Sequence, residues 1–252
     1  MTGPIFDDQA LALRRQRAVW QGPRLFLAER AVEDLADRLS LVQRRFGRAL
    51  LVGCLDPRLA EPLTGAAEQV IIAPTLNDVA RFPPGSFDLL LVLGQLDTAN
   101  ELRAVLHILR AVLTEEALFV GAFPGNNSLP ALRAAMLAAD RAGGAGAAPR
   151  VHPRIEASAI GGLLQDAGFV MPVVDIDRVR LSYRTLDDLV ADLRGMGATN
   201  VLSGRSRTPL LRTALATART EFAQLGAGER TVETVELIHF AAWTQPASLT
   251  AA

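Results

Sequence analysis

Lysine is absent from the 252 residues, cysteine occurs once and histidine three times. The single cysteine, Cys54, excludes an internal disulfide and a zinc site made of several cysteines. The histidines, His107, His152 and His239, are too scattered along the chain to indicate a metal cluster, so we predict no bound metal. With 26 basic residues, all arginine, against 27 acidic ones, the chain also lacks the basic excess of a nucleic-acid-binding protein.

Long hydrophobic runs are missing as well. No apolar stretch approaches the roughly 20 residues that cross a bilayer, and residues 1–16 carry Asp7, Asp8, Arg14 and Arg15 where a signal peptide has its apolar centre. We therefore expect a cytoplasmic protein without an integral membrane segment. Hydrophobic residues make up 50% of the chain, which is enough to bury a large core in one compact domain with terminal additions.

The spacing of apolar residues changes after residue 45. From Pro23 to Arg45 they recur every three or four positions, which predicts an amphipathic helix. After it, four short continuous apolar runs are typical of strands buried on both faces of a parallel sheet. These runs are Ala49–Gly53, Gln69–Ala73, Phe87–Leu93 and Ala117–Phe123. We therefore predict an N-terminal helical segment, residues 1–45, packed on a single compact domain, residues 46–252.

Helical patterns alternate with these strands, which argues for an open α/β sheet. The predicted helices lie at Leu59–Ala67, Ala99–Leu113, Leu129–Arg141, Pro153–Ala167, Leu186–Met196 and Pro209–Leu225, and two later strands at Phe169–Leu181 and Val232–Trp243. Residues 142–149 are mostly glycine and alanine, which predicts a mobile loop that could close as a lid.

The order of these elements, an open sheet whose last strand arrives after a helical excursion, is similar to the class I methyltransferase fold. Several short motifs resemble the complex I assembly factor five family: Ile5–Asp7 with Arg15–Ala18, Gly125–Leu129 with Leu132 and Arg133, Pro149–Pro153, Leu163–Phe169, Asp175–Asp177, Tyr183, and Asp192–Gly197 with Asn200. The resemblance implies a Rossmann-like α/β fold with a mostly parallel sheet, an antiparallel last strand and N-terminal helices. It also implies a protein partner, because the family modifies an arginine of a respiratory complex I subunit by hydroxylation.

The turn after the first strand departs from the family pattern. In this fold S-adenosylmethionine lies over a glycine-rich turn, because only glycine lets the backbone and the ligand approach without a Cβ collision. Gly53 is kept, whereas Leu51 stands in place of an acid and Leu55 and Pro57 stand in place of two glycines. We therefore expect S-adenosylmethionine binding to be weak or lost.

The end of the second strand departs from the pattern too. Residues 70–73 run into Pro74, where the fold usually has an acid for the ribose hydroxyls. Only Thr75–Ser86 separates this strand from the next, which is too short for a helix and a buried strand, so one βα unit of the family is predicted to be missing. Asp78, in this segment, could replace a lost contact on the adenine side.

Four more residues are candidates for the site. Asp56 could be a displaced carboxylate for the cofactor, although an aspartate before proline is first of all a turn and capping residue. Gly94 and Asp97 follow the third strand, at the sheet edge where methyltransferases place residues that face cofactor and substrate. His152 lies in a predicted loop and is a catalytic candidate beside Asp97, because imidazole titrates near neutral pH. The predicted cofactor-binding set is thus Gly53, Asp56, Asp78 and Gly94.

Three functions stay open at this point. The chain could act on a protein partner as its family does, with a degenerate cofactor site. It could instead be a noncatalytic pseudoenzyme that has kept the methyltransferase fold in order to bind a protein. The third alternative is an active S-adenosylmethionine-dependent methyltransferase, for example one related to the enzyme that methylates malonyl carrier protein, but an active enzyme should keep its glycine turn intact.

Overall fold

A computed structural model describes residues 3–143, 148–227 and 229–246. It contains seven α-helices and six strands within those ranges. The helices are α1 (Asp8–Gln21), α2 (Phe26–Ser40), α3 (Leu102–Ala111), α4 (Pro130–Gly143), α5 (Ala157–Asp166), α6 (Leu186–Gly195) and α7 (Arg212–Leu225). The strands are β1 (Phe46–Val52), β2 (Ala67–Ala73), β3 (Phe87–Leu93), β4 (Leu113–Pro124), β5 (Phe169–Tyr183) and β6 (Thr231–Thr244). Short 3-10 helices span Pro57–Leu63, Leu76–Arg81 and Leu96–Thr98.

The strands form one sheet in the order β2-β1-β3-β4-β6-β5. Strand β1 pairs in parallel with β2 and β3, β3 pairs in parallel with β4, and β6 pairs antiparallel with β4. The prediction of a mostly parallel sheet with an antiparallel last strand is therefore confirmed. Between β2 and β3 the chain forms only the 3-10 helix Leu76–Arg81, as the short spacing there predicted.

One helical prediction needs correction. The helix predicted at Leu59–Ala67 is instead the 3-10 helix Pro57–Leu63, because Pro57 and Pro62 restrict the backbone and remove hydrogen-bond donors. Helix α1 lies in the predicted N-terminal helical segment, but its bounds were not predicted, because its apolar residues do not form a stripe and Val19 and Trp20 are exposed. Its start is nonetheless encoded locally: the Asp7 carboxylate accepts a hydrogen bond from the Ala10 amide.

By their contacts, the described residues fall into two compact units. We call the residues within Met1–Arg24, Asn126–Arg154 and Arg178–Glu236 the first unit, and those within Leu25–Gly125, Ile155–Asp177 and Leu237–Ala252 the second unit. The division at residue 45 stays a prediction. Residues 144–147, half of the predicted 142–149 loop, lie outside the described residues, so its role as a lid also stays a prediction.

The second unit has apolar side chains on both faces of its sheet. Leu50 and Val52 of β1 belong to one buried cluster, whereas Ala49 and Leu51 belong to another, as expected for alternate residues of a strand covered on both faces. In the first cluster the ring of Phe119 lies 5.0 Å from that of Phe169 and 4.8 Å from that of Phe240. The continuous apolar runs of the sequence follow from this double burial.

The first unit is built around packed helices. Helix α4 packs against α7, and α6 contacts both α1 and α7. The start of α6 is fixed by a capping box, in which Thr185 and Asp188 each accept a hydrogen bond from the other's backbone amide. The start of α4 is held by the carboxylate of Glu233, a fully buried residue of β6.

Candidate functional site

The turn after β1 is a place where the chain approaches itself closely. Gly53 has φ +92°, a conformation that favours glycine, and its amide donates a hydrogen bond to the Ala73 carbonyl at the end of β2. A Cβ atom at this position would lie 2.3 Å from the carbonyl oxygen of Leu93 and 2.9 Å from Nε2 of Gln95. The space over Gly53 into which a Cβ would project is therefore filled by the last residue of β3, Leu93, and by Gln95, which follows the strand.

Gln95 joins the carboxyl ends of two strands. Its Nε2 donates to the Pro74 carbonyl over 3.0 Å, and its Oε1 accepts from the Leu76 amide, also over 3.0 Å. The side chain is buried, and these bonds satisfy both of its polar ends. Gln95 thus connects the end of β3 to the segment after β2, across the turn in which Gly53 lies.

Asp56 is engaged within its own turn. Its carboxylate accepts hydrogen bonds from the backbone amide and the guanidinium of Arg58, and it caps the 3-10 helix Pro57–Leu63. The hydrogen bond from the Arg58 side chain, followed by that from its backbone, holds the pKa of Asp56 below its usual value. Cys54 is buried next to it, and its thiol donates to the Asp56 carbonyl. The Asp56 carboxylate thus caps the turn that follows it, as expected for an aspartate before proline.

Asp78 also bonds within a short turn. Its Oδ2 accepts hydrogen bonds from the backbone amide and from the hydroxyl of Thr75, over 3.0 and 2.7 Å. Its Oδ1 lies 3.0 Å from a guanidinium nitrogen of Arg81. Both oxygens therefore stabilise the start of the 3-10 helix Leu76–Arg81.

The two candidates after β3 lie at the same sheet edge. Gly94 has φ +60° and donates its amide hydrogen to the Ala122 carbonyl of β4. Asp97 is buried in the 3-10 helix Leu96–Thr98. The structure therefore brings Gly53, Asp56, Asp78, Gly94 and Asp97 into the second unit, at or next to the carboxyl ends of its strands. Their functional roles stay predictions.

His152 belongs to the first unit, where its side chain contacts Val201 and Phe6. Its Nε2 accepts a hydrogen bond from the Val201 amide over 2.9 Å, so the neutral ring carries its proton on Nδ1. Its ring packs edge-on against Phe6, with 5.5 Å between the centroids. Burial, and then the nearby charges of Arg154 and Arg14, lower the pKa of His152 to about 4. The imidazole is therefore neutral at pH 7, contrary to the expectation that it titrates there, and its catalytic assignment stays a prediction.

The low pKa of His152 predicts a loss of stability in acid. Between pH 6.5 and pH 4 the unfolded chain binds a proton at this residue and the folded chain does not, so the free energy of unfolding falls as pH falls through that window. The expected contribution is about 3 kcal/mol. Urea unfolding at pH 7 and pH 4 should give a smaller difference for His152→Gln than for the wild type. His107→Gln, at an exposed position of α3, is the matched control and should leave the difference unchanged; equal differences in all three proteins would contradict the burial of His152.

Several of the motifs that carry the family resemblance contact one another in the first unit, whereas Leu163–Phe169 and Asp175–Asp177 lie in the second. Asn200 donates a hydrogen bond to the Pro149 carbonyl, which joins two of them. Tyr183 donates to a carboxylate oxygen of Asp192 over 3.1 Å, which joins two others. A Cβ on Gly197 would lie 3.0 Å from Cα of Arg15, and the backbone there has φ +66°, so this motif needs glycine. These contacts between motifs therefore help to pack the first unit.

Known proteins similar to this chain include arginine-hydroxylases and methyltransferases. The chain is 29% identical over 226 residues to the mitochondrial arginine-hydroxylase NDUFAF5 of Danio rerio, covering 78% of this chain and 68% of that protein. It is 31% identical over 223 residues to the NDUFAF5 of Rattus norvegicus, covering 78% of this chain and 64% of the rat protein, which is less than two thirds of its length. A malonyl-[acyl-carrier protein] O-methyltransferase of Laribacter hongkongensis is 30% identical over 175 residues, covering 68% of this chain and 57% of the enzyme. No family model matches the sequence.

Solved structures agree with the sheet described above. A candidate methyltransferase from Bacillus halodurans C-125 superimposes with a TM-score of 0.54 over 84% of this chain and 98% of its own, at 11% sequence identity. The chain is therefore a protein of the class I methyltransferase fold. Within that class it is similar to the NDUFAF5 arginine-hydroxylases of Danio rerio and Rattus norvegicus.

Neither a membrane-spanning helix nor a metal site is found in the part of the chain that the structure describes. None of the helices there is long and apolar enough to cross a bilayer. Likewise, no three His, Cys, Asp or Glu side chains in those ranges could together hold a metal ion. The NDUFAF5 relatives are named as mitochondrial, and the cytoplasmic location of this chain stays a prediction.

Proposed function

We propose that this chain is an assembly factor that binds a subunit of respiratory complex I and does not use S-adenosylmethionine. The proposed partner rests on the resemblance to the complex I assembly factor five family, which implies modification of an arginine of such a subunit. The noncatalytic mode is supported by one observation above all: the chain's own Leu93 carbonyl and Gln95 side chain fill the space over Gly53. A nucleoside in that space would require Gln95 to leave the Pro74 carbonyl and the Leu76 amide.

The other residues predicted for the cofactor support the same proposal. Asp56 and Asp78 bond to Arg58, Thr75 and Arg81 of their own turns. Binding a ribose through either carboxylate would compete with these contacts. The residues of this edge thus do not fit S-adenosylmethionine. A pseudoenzyme that binds a protein is favoured over an active methyltransferase or hydroxylase.

Calorimetric titration of the full chain with S-adenosylmethionine tests the noncatalytic mode. We expect no saturable heat up to about 1 mM ligand, whereas an active enzyme of this fold should bind below about 100 μM, or roughly 5.5 kcal/mol. Gln95→Ala removes one of the two obstructing groups, and Gln224→Ala, at an exposed position of α7, is its matched control. Saturable binding by the wild type would contradict the noncatalytic proposal and favour an active S-adenosylmethionine-dependent enzyme.

A genetic experiment tests the partner separately. In cells that lack the gene, the amount of assembled complex I should fall, and expression of the wild-type chain should restore it. Restoration by a chain that shows no binding to S-adenosylmethionine would support a binding role. An unchanged amount of complex I in the deletion strain would contradict the proposed partner, whatever the outcome of the titration.

A further inference from the structure

The charges of the chain are divided unevenly between its two units. The first unit contains 17 arginines and 10 acidic residues, a formal charge of +7, whereas the second contains 9 arginines and 17 acidic residues, a formal charge of −8. These opposite values nearly cancel in the whole chain, which has a formal charge of −1. The basic excess of the first unit is therefore hidden in the composition, and it is large enough to attract an anionic surface.

Helix α1 of the first unit has an exposed face that is both apolar and basic. Leu13, Arg17 and Trp20 follow at spacings of four and three residues, so they lie on one side of the helix. Trp20 is 86% exposed and Leu13 is 45% exposed, and Arg17 between them is also exposed. Ala18, on the opposite side, is buried, and α1 packs against α6. Trp20 therefore projects from the surface, whereas tryptophan is highly buried on average.

The end of α6 adds a further arginine to this face. The Arg24 amide donates to the Gly195 carbonyl over 3.0 Å, which joins the segment after α1 to the end of α6. The Arg24 side chain is 62% exposed, and its Nε lies 3.5 Å from a carboxylate oxygen of Asp192. Arg17 and Arg194 are exposed, and neither is paired with an acid in the ranges that the structure describes. At least two cations beside Trp20 are thus available to an anion.

We propose that this face of α1 binds the surface of an anionic lipid bilayer. Trp20 and Leu13 enter the headgroup region, and Arg17 and Arg194 contact lipid phosphates. Tryptophan suits this boundary, because its ring is largely apolar and its N–H still finds a hydrogen-bond partner among the headgroups. A bilayer is favoured over an acidic protein segment, because a soft surface receives a single projecting ring without a matching pocket. The proposal depends neither on the complex I partner nor on the noncatalytic mode.

Vesicle binding followed by tryptophan fluorescence tests the proposal. The chain has two tryptophans, so the variant Trp243→Phe leaves Trp20 as the only reporter. Vesicles of phosphatidylcholine with about 30% phosphatidylglycerol should shift the Trp20 emission to shorter wavelength, because the ring leaves water. Vesicles of phosphatidylcholine alone should bind at least about tenfold more weakly, since each arginine near an anionic surface contributes to binding. About 1 M NaCl should remove most of this difference by screening.

Substitutions separate the apolar from the basic contribution. Arg17→Gln should lower the partition coefficient for the anionic vesicles about fivefold. Trp20→Ala, measured by cosedimentation with the vesicles, should lower it at least about tenfold, because the apolar area of the ring is lost. Arg45→Gln, which removes an exposed arginine of the second unit, is the matched control and should change nothing. Cosedimentation of the wild type gives the lipid preference even if Trp243→Phe does not fold.

Three outcomes would overturn the proposed surface. Equal binding to the two kinds of vesicle would mean that the arginines do not recognise the lipid charge. Cosedimentation without a shift of the Trp20 emission would mean that another part of the chain contacts the bilayer. A shift with poly-L-glutamate but not with the anionic vesicles would indicate an acidic protein as the occupant of this face instead of a membrane.

Discussion

Gly53→Ala is expected to lower the free energy of unfolding by about 3 to 5 kcal/mol. The added methyl group would lie 2.3 Å from a backbone oxygen, the Leu93 carbonyl, which cannot move without disturbing β3. The backbone at this position also has φ +92°, which an L-amino acid adopts only with strain. Urea unfolding followed by circular dichroism measures the loss.

Gly94→Ala is the matched control for this prediction. Gly94 also has positive φ, +60°, but a Cβ there would meet no atom within 4 Å. Its substitution should cost only the conformational strain, about 1 to 2 kcal/mol. Gln95→Ala combined with Gly53→Ala should recover part of the loss, because it removes the second close contact and leaves the Leu93 carbonyl in place. Equal losses for the two glycines would mean that the space over Gly53 is open, and the case against cofactor binding would fail with it.

Part of the candidate site could be predicted from the sequence. The positions of Gly53, Gly94 and Asp97 at the strand ends follow from the apolar runs before them, and the runs were readable because both faces of the sheet are covered. Strand β3 was predicted with the bounds that the structure has, Phe87–Leu93. The loss of two glycines at Leu55 and Pro57 was readable too. These are local patterns, so one sequence is enough to reveal them.

The contacts that decide function are not local. Gln95 bonds to groups 19 and 21 residues earlier in the chain, and no spacing rule predicts such a contact. Arg14 reaches Thr199 across 185 residues, and this contact too could be recognised only after folding. His152 illustrates the same limit: a histidine between two arginines in a predicted loop is expected to be accessible, yet it is buried against Phe6.

Glu233 was not recognised from the sequence either, although its removal should destabilise the fold strongly. Glu233→Ala should lower the free energy of unfolding by about 3 to 5 kcal/mol. Its Oε1 accepts from the amides of Ala131 and Thr234, and its Oε2 accepts from that of Leu132, over 3.3, 2.9 and 2.8 Å. Two of these donors belong to the first turn of α4, where the helix dipole also favours a negative charge. Alanine would leave all three donors without this acceptor in a buried place.

Glu233→Gln separates the hydrogen bonds from the charge. Burial raises the pKa of Glu233, and the hydrogen bonds from the amides of Leu132, Thr234 and Ala131 offset only part of that effect. Because the pKa of the folded state lies above that of the unfolded state, the wild type loses stability as pH rises from about 4.5 through the folded-state value. Glutamine does not titrate, so unfolding measured against pH should show its deficit relative to the wild type shrinking over that window. A deficit that grows with pH would contradict the sign of the shift.

An exposed acid of the same segment provides the matched control for Glu233→Ala. Glu229→Ala removes an exposed acid four residues earlier and should change stability by less than about 0.5 kcal/mol. A loss for Glu233→Ala as small as that of Glu229→Ala would mean that other groups satisfy the amides of α4, and the buried carboxylate would then have to be explained by its charge alone.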